Sequence, residues 1–188
     1  MTLLELPTGT LRERCTPVLE TERLVLRAPQ LGDAKVIAKL ANDRHIAENT
    51  ARIPHPYDIN DAKEYIAWAK ETRAESAFLI TLDDDVIGAC GVGLDDANPE
   101  IGYWVGVRYW GQGYATEAAR EMLRYGFEDL RLHRIFAYHF KHNPASGRIL
   151  QKLGMRYEGR QREHFCKWDQ FVDSDLYGIL QHEWENRE

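Results

Sequence analysis

The stretch Ile101-Gly102-Tyr103-Trp104-Val105-Gly106-Val107-Arg108-Tyr109-Trp110-Gly111-Gln112-Gly113-Tyr114-Ala115-Thr116 runs from a strand-like segment through two glycines into a helix. Such a turn presents unpaired backbone N–H groups at the positive end of a helix dipole, a natural seat for a phosphate or diphosphate. Glycine lets an anion approach the main chain, and the small Ala115 keeps the first helical turn clear. A plain strand-to-helix turn needing glycine for its dihedral angles fits the same pattern, and short glycine motifs match by chance. Two nucleotide folds do not fit. A dinucleotide fingerprint needs a third glycine where Thr116 stands, and a carboxylate ending the next strand, Arg134–Tyr138. No GxxxxGK followed by Ser or Thr occurs.

Other chemistry-bearing residues surround this turn. Glu100 opens the preceding strand, a carboxylate at a strand end. Asn143-Pro144 is a helix start, a capping residue followed by proline at the first helical position, with Ser146 in the first turn. The cysteines Cys15, Cys90 and Cys166 form no CxxC and read as reduced thiols. His139 and His142 have no acidic or cysteine partner nearby in sequence, so no metal is expected. A net charge of −6 argues against a nucleic-acid partner, which would need a basic face. No apolar run reaches signal-peptide or membrane-span length, so a cytoplasmic protein without a membrane partner is expected.

The elements that must position these residues follow from pattern. Residues 1–18 read as a lead-in arm with Pro7, Gly9 and Pro17. Leu24–Arg27 reads as a strand. Asp33 is placed to cap a helix carrying Val36, Ile37 and Leu40. His45–Tyr57, with Pro54 and Pro56, reads as an irregular connection before a second helix from about Asp61. Phe78–Leu82, Val86–Leu94 and Glu100–Val107 form an antiparallel meander joined by the turns Asp83–Asp85 and Asp95–Pro99. A helix from Tyr114 to Glu128, a strand at Arg134–Tyr138, a helix stopped at Gly154, and strands near Met155–Glu158 and Phe171–Leu180 complete the chain. A turn is expected at Asp169-Gln170. The expected fold is mixed α/β (α+β), one domain over 19–183 with a tail at 184–188, its twisted, mostly antiparallel sheet of about seven strands flanked by about four helices.

Tyr109–Ala118 resembles the acetyl-CoA pyrophosphate loop of the GNAT N-acetyltransferase superfamily, whose Gln/Arg-x-x-Gly-x-Gly/Ala pattern falls on Trp110–Ala115. Trp110 replaces the usual Gln or Arg, as in the ribosomal-protein alanine acetyltransferase (RimJ/RimL-type) branch. Leu19–Arg27 resembles the opening strand of that superfamily, and Asn143–Ser146 with Leu153-Gly154-Met155 its late helix and following strand.

The resemblance implies a sheet splayed between the fourth and fifth strands, often at a bulge, with the pantetheine arm in the gap. It implies that Trp104, Val105, Gly106 and Val107 line the acetyl and pantetheine end, an N–H near Val105 polarising the carbonyl. It implies that Trp110, Gly111, Gln112, Gly113, Tyr114, Ala115 and Thr116 hold the pyrophosphate, that Asn143 contacts the cofactor or caps its helix, and that Ser146 lies beside the cofactor sulfur. Glu100 is the matching acidic position for a base, with Glu163 and His164 as second choices; Phe165 stands where some relatives carry one. Tyr57, Trp68 and Trp168 are candidate walls of the acceptor pocket, and Arg148 and Lys152 candidate contacts to the 3′-phosphate, a solvated basic face being the alternative. The implied activity is acetyl transfer from acetyl-CoA to an amine: a protein N-terminus, or a small molecule such as an amino acid, polyamine or drug. A CoA-sensing module without turnover and a homodimer stay open.

Overall fold

In the computed structural model, residues 16–71, 77–93 and 99–186 are described. Two aspartates in left-handed backbone conformation, Asp83 (φ 49°) and Asp84 (φ 67°), close a tight hairpin. A turn with positive φ at both central positions matches the twist of the strands it joins. That hairpin pairs β3 (Ala77–Leu82) with β4 (Asp85–Gly93), and β5 (Glu100–Val105) continues the expected meander. The remaining strands are β1 (Leu19–Glu20), β2 (Val25–Arg27), β6 (Arg134–Phe140), β7 (Arg156–Lys167) and β8 (Gln170–Leu180). They form one sheet in the order β1-β2-β3-β4-β5-β6-β8-β7, antiparallel except between β5 and β6.

The helices are α1 (Ala34–Ala41), α2 (Arg44–Asn49), α3 (Ile59–Glu71), α4 (Tyr114–Arg124), α5 (Pro144–Lys152) and α6 (Gln181–Glu185). Alternation along β5 divides them between two layers. Ile101 and Val105 join a core with Ala118, Met122 and Leu150 of α4 and α5. Ala89 and Leu79 join a second core with Ile37, Ala62 and Ile66 of α1 and α3, against which Trp104 packs. The sheet is therefore covered on both faces.

The mixed α/β class holds, with eight strands and six α-helices among the described residues. The extra elements are short. α2 lies inside the stretch read as irregular, because Asp43 accepts the His45 N–H at 2.9 Å and Ile46 and Ala47 are buried. Asp33 does not cap α1 with its carboxylate; that group accepts from Arg27 at 2.8 and 2.9 Å and from the Gln30 N–H at 2.8 Å. β7 runs to Lys167, well past Glu158, as an exposed edge strand whose polar sequence hides the strand period. Its hairpin turns at Trp168-Asp169 (φ 49° and 59°), one residue earlier than expected. Order also extends into the expected tail: Trp184 stacks on Phe127 at 6.0 Å, and its indole donates to Glu128 at 3.2 Å. Residues 1–15 of the expected arm, with Cys15, and most of the Asp95–Pro99 turn lie outside the described residues. Among the described residues no group of three metal-ligating side chains occurs, and no helix is long and apolar enough to cross a membrane.

Candidate active site

The site begins as a gap between two strands. The Phe136 N–H donates to the Pro99 carbonyl at 2.9 Å, and Glu100 opposite Phe136 is the one register pair between β5 and β6 among the described residues. Main-chain polar groups alternate in direction along a strand. Odd positions of β5 thus face β6, and beyond Ile101 the main chain of Tyr103 and Val105 faces the opening. Even positions face β4: Trp104 pairs with Ala89, and the Gly106 N–H donates to Ile87 at 2.8 Å. The Trp110 indole donates to the Val105 carbonyl at 2.8 Å, closing the gap at that end while leaving the Val105 N–H facing it. The splay is not made at a bulge in β5, whose register with β4 is continuous from Gly88 to Gly93. Gly88 instead brings the two strands close, since a Cβ there would lie 2.2 Å from the Trp104 carbonyl oxygen.

The glycine turn lies at the end of this gap. Gly111 (φ 75°) and Gly113 (φ 87°) adopt the left-handed conformation that other residues reach only with strain. Gly113 precedes α4, whose first-turn amides stay unpaired within the helix. The loop is braced from the opening segment. Glu117 accepts from the Thr21 hydroxyl (2.7 Å), the Arg23 N–H (2.8 Å) and the Arg23 guanidinium (2.6 Å), which also donates to the Gln112 carbonyl at 3.1 Å. Burial pushes the Glu117 carboxyl up, but the Thr21 and Arg23 hydrogen bonds outweigh it and hold it below its usual range.

Side chains divide between the two faces of the gap. On the α4–α5 face, the Tyr103 hydroxyl lies 3.0 Å from Ser146 Oγ, and Asn143 Oδ1 accepts the Ser146 N–H at 3.2 Å. Burial raises the Tyr103 hydroxyl above its ordinary pKa, so it stays protonated. On the opposite face stand Glu100 and Trp104, and Tyr57, Asp61, Glu64, Tyr65 and Trp68 line the same cleft. Burial raises the pKa of Glu100; Arg52 (3.2 Å), the Tyr138 hydroxyl and His164 oppose it, and the net direction is upward. A single cleft of about 1100 Å³ reaches both faces through the gap.

An acetyltransferase (GNAT) domain family matches residues 23–156. The chain belongs to the GNAT acetyltransferase family. The uncharacterized N-acetyltransferase p20 of Bacillus licheniformis is 30% identical over 174 residues, 88% of this chain and 97% of p20. The [ribosomal protein uS5]-alanine N-acetyltransferase of Escherichia coli is 31% identical over 84 residues, 45% of this chain and 43% of its own. The crystal structure of a spermidine N-acetyltransferase from Vibrio cholerae, in complex with CoA and spermine, shares the fold with a TM-score of 0.77. It is 24% identical and covers 88% of this chain and 100% of its own. Membership makes the chain an acyltransferase.

Within this GNAT frame the structure gathers most of the expected residues. Glu100, Trp104, Val105, Trp110, Gly111, Gly113, Tyr114, Ala115, Thr116, Asn143 and Ser146 line the cleft, as do Tyr57, Trp68, Arg148 and Lys152. Gly106 and Val107 lie beyond the lining: Gly106 is turned to β4, and Val107 enters a 3₁₀ turn. The Gln112 side chain folds back to donate to the Arg108 carbonyl at 3.0 Å. Asn143 serves as the α5 cap. Glu163 lies in a register shift of β7 and Trp168 on the hairpin tip, and neither lines the cleft. Phe165 packs on Tyr138 at 4.8 Å, which places no base there. Sequence reading missed Tyr103, Arg52, Tyr138 and the Thr21–Arg23–Glu117 brace. The brace had a signal, since Thr21 and Arg23 belong to the opening motif, but their contacts with Glu117 are 96 and 94 residues distant.

Proposed function

We propose that the chain transfers an acetyl group from acetyl-CoA to a primary amine by direct attack, without an acyl-enzyme. The observation that carries this reading is the single cleft joining three features: main-chain amides at the α4 N-terminus, the open edge of β5, and a half-buried carboxylate on the far face. Amides at a helix start suit the diphosphate of CoA, and an open strand edge suits its amide-bearing arm. The Val105 N–H is placed to polarise the thioester carbonyl.

The amine reaches the gap from the Glu100 face. Its nitrogen bonds to the carbonyl carbon as Glu100, directly or through a water, takes its proton. The carbon–sulfur bond then breaks, and its electron pair leaves on the sulfur. Tyr103 donates to Ser146 Oγ, which frees the serine O–H to donate to the thiolate. A thiol of pKa about 8.5 is already a tolerable leaving group, so hydrogen bonding suffices. Most of the acceleration then comes from positioning and carbonyl polarisation.

The likeness to an alanine N-acetyltransferase supports a protein α-amine as acceptor. A second reading, a small cationic amine, is favoured by Asp61, Glu64 and Glu100 on the acceptor wall and by the spermidine enzyme of the same fold. The test is thiol release from acetyl-CoA with alanine-initiated peptides in one arm and polyamines or amino sugars in the other, with products weighed by mass spectrometry. Acetylated product is expected in one arm. CoA binding without product in either would replace the enzyme reading with a sensing module.

A further inference from the structure

We infer that Lys167, at the tip of the β7–β8 hairpin, is a positioning residue that clamps the loop carrying Arg52 so that its guanidinium stays on Glu100. This rests on the proposed role of Glu100 as base. The Lys167 ammonium donates to the Thr50 carbonyl at 3.0 Å and the Ile53 carbonyl at 2.6 Å, on either side of Arg52. These contacts join positions 117 and 114 residues apart. A half-buried ammonium bound to main-chain carbonyls fixes backbone position.

The tip itself is held. Trp168 adopts a left-handed φ of 49°, costly for so large a side chain. The Arg44 guanidinium lies 5.4 Å and the Lys167 ammonium 5.6 Å from its ring centre. Separately from the tip, α2 is tied to the turn between β6 and α5, where the His142 Nε2–H donates to the Glu48 carbonyl at 2.9 Å.

Arg52 needs such help. Its side chain is 78% exposed, whereas that of Glu100 is 22% exposed. A long exposed side chain gains little from one ion pair, because holding it still costs entropy. Anchoring the backbone on both sides lowers that cost. Three groups face Glu100 against the effect of burial: Arg52 from the loop, Tyr138 from β6 and His164 from β7. Of these, Arg52 alone depends on the clamp.

The experiment compares pH profiles of kcat/KM for the acceptor amine in Lys167→Met, Arg52→Gln and the double variant, with CoA affinity by calorimetry. Lys167→Met is expected to lose roughly tenfold in kcat/KM on the acidic side, the scale of one charge-assisted hydrogen bond. Its acidic limb should move to higher pH, with the loss vanishing on the alkaline plateau. Arg52→Gln should do the same, the double variant should be no worse than Arg52→Gln, and CoA affinity should stay within about twofold. Lys167→Arg should restore the limb. Lys167→Gln, which keeps a donor, repeats the test with a smaller displacement should Lys167→Met not fold. An even loss across all pH with an unmoved limb, or losses that add in the double variant, would overturn the clamp. Glu100→Gln separates the two ideas. A limb lost there but unmoved in Lys167→Met defeats the clamp alone, whereas a limb unchanged in Glu100→Gln defeats the base and the clamp together.

Discussion

In the proposed site, the α4 end of the cleft offers a ligand main-chain amides from one contiguous loop, whereas the Glu100 end offers side chains from separate segments of the chain. The first kind of site tolerates almost any side chain that keeps the backbone shape, and so depends on glycine. The second depends on which residues the fold happens to bring together. The difference explains how a family can share one donor and vary its acceptor.

Gly113→Asp should strike only the main-chain end, and hardest. It places a carboxylate against the diphosphate seat at a φ of 87°, with a Cβ 3.3 Å from Arg23. A loss of CoA affinity of more than about 100-fold is expected by calorimetry, on the scale of removing a preorganised anion site. Ordinary affinity would detach the diphosphate from this loop. Glu100→Gln should do the converse: roughly 100-fold lower turnover near neutral pH with CoA affinity unchanged. Because burial raises the pKa of Glu100, wild-type kcat/KM should climb as pH rises through that elevated value and the carboxylate ionises. The deficit of the variant should then shrink at still higher pH, where the amine is already neutral. A deficit constant with pH would remove Glu100 from proton transfer.

Ser146→Ala should cost about tenfold in kcat, the scale of one lost hydrogen bond to a developing charge. Tyr103→Phe should cost only severalfold, and adding it to Ser146→Ala should cost nothing more if the phenol acts through the serine. Full additivity would give Tyr103 a contact of its own. The smallest effect is expected from Glu64→Gln, an exposed carboxylate: about threefold higher KM for a polycationic acceptor and none for a peptide, as suits a solvated ion pair. Equal effects on both acceptors would cancel the electrostatic sorting.

How much of this was legible follows the same division. Gly111, Gly113 and Ala115 stand in one stretch, and a main-chain cradle leaves its mark there because only small or φ-permissive residues fit. Ser146 was readable through the cap at Asn143, which orders the same turn. Arg52 was not, since the segment around it has no period and its value comes from Glu100, 48 residues away. Lys167 is more distant still from Thr50, on a strand whose polar sequence masks its own alternation. Trp168 was read as a pocket wall on residue type alone; the left-handed turn at its position carries it to the outer tip. Asp33 was read as a cap on position alone, but Arg27 claims its carboxylate.

The most direct test of the shared cleft is diffraction from crystals soaked with acetyl-CoA. The account predicts diphosphate density on the amides between Gly111 and Thr116, and the thioester oxygen within hydrogen-bonding distance of the Val105 N–H. A nucleotide bound elsewhere, with the β5–β6 opening filled by the enzyme's own side chains, would contradict it.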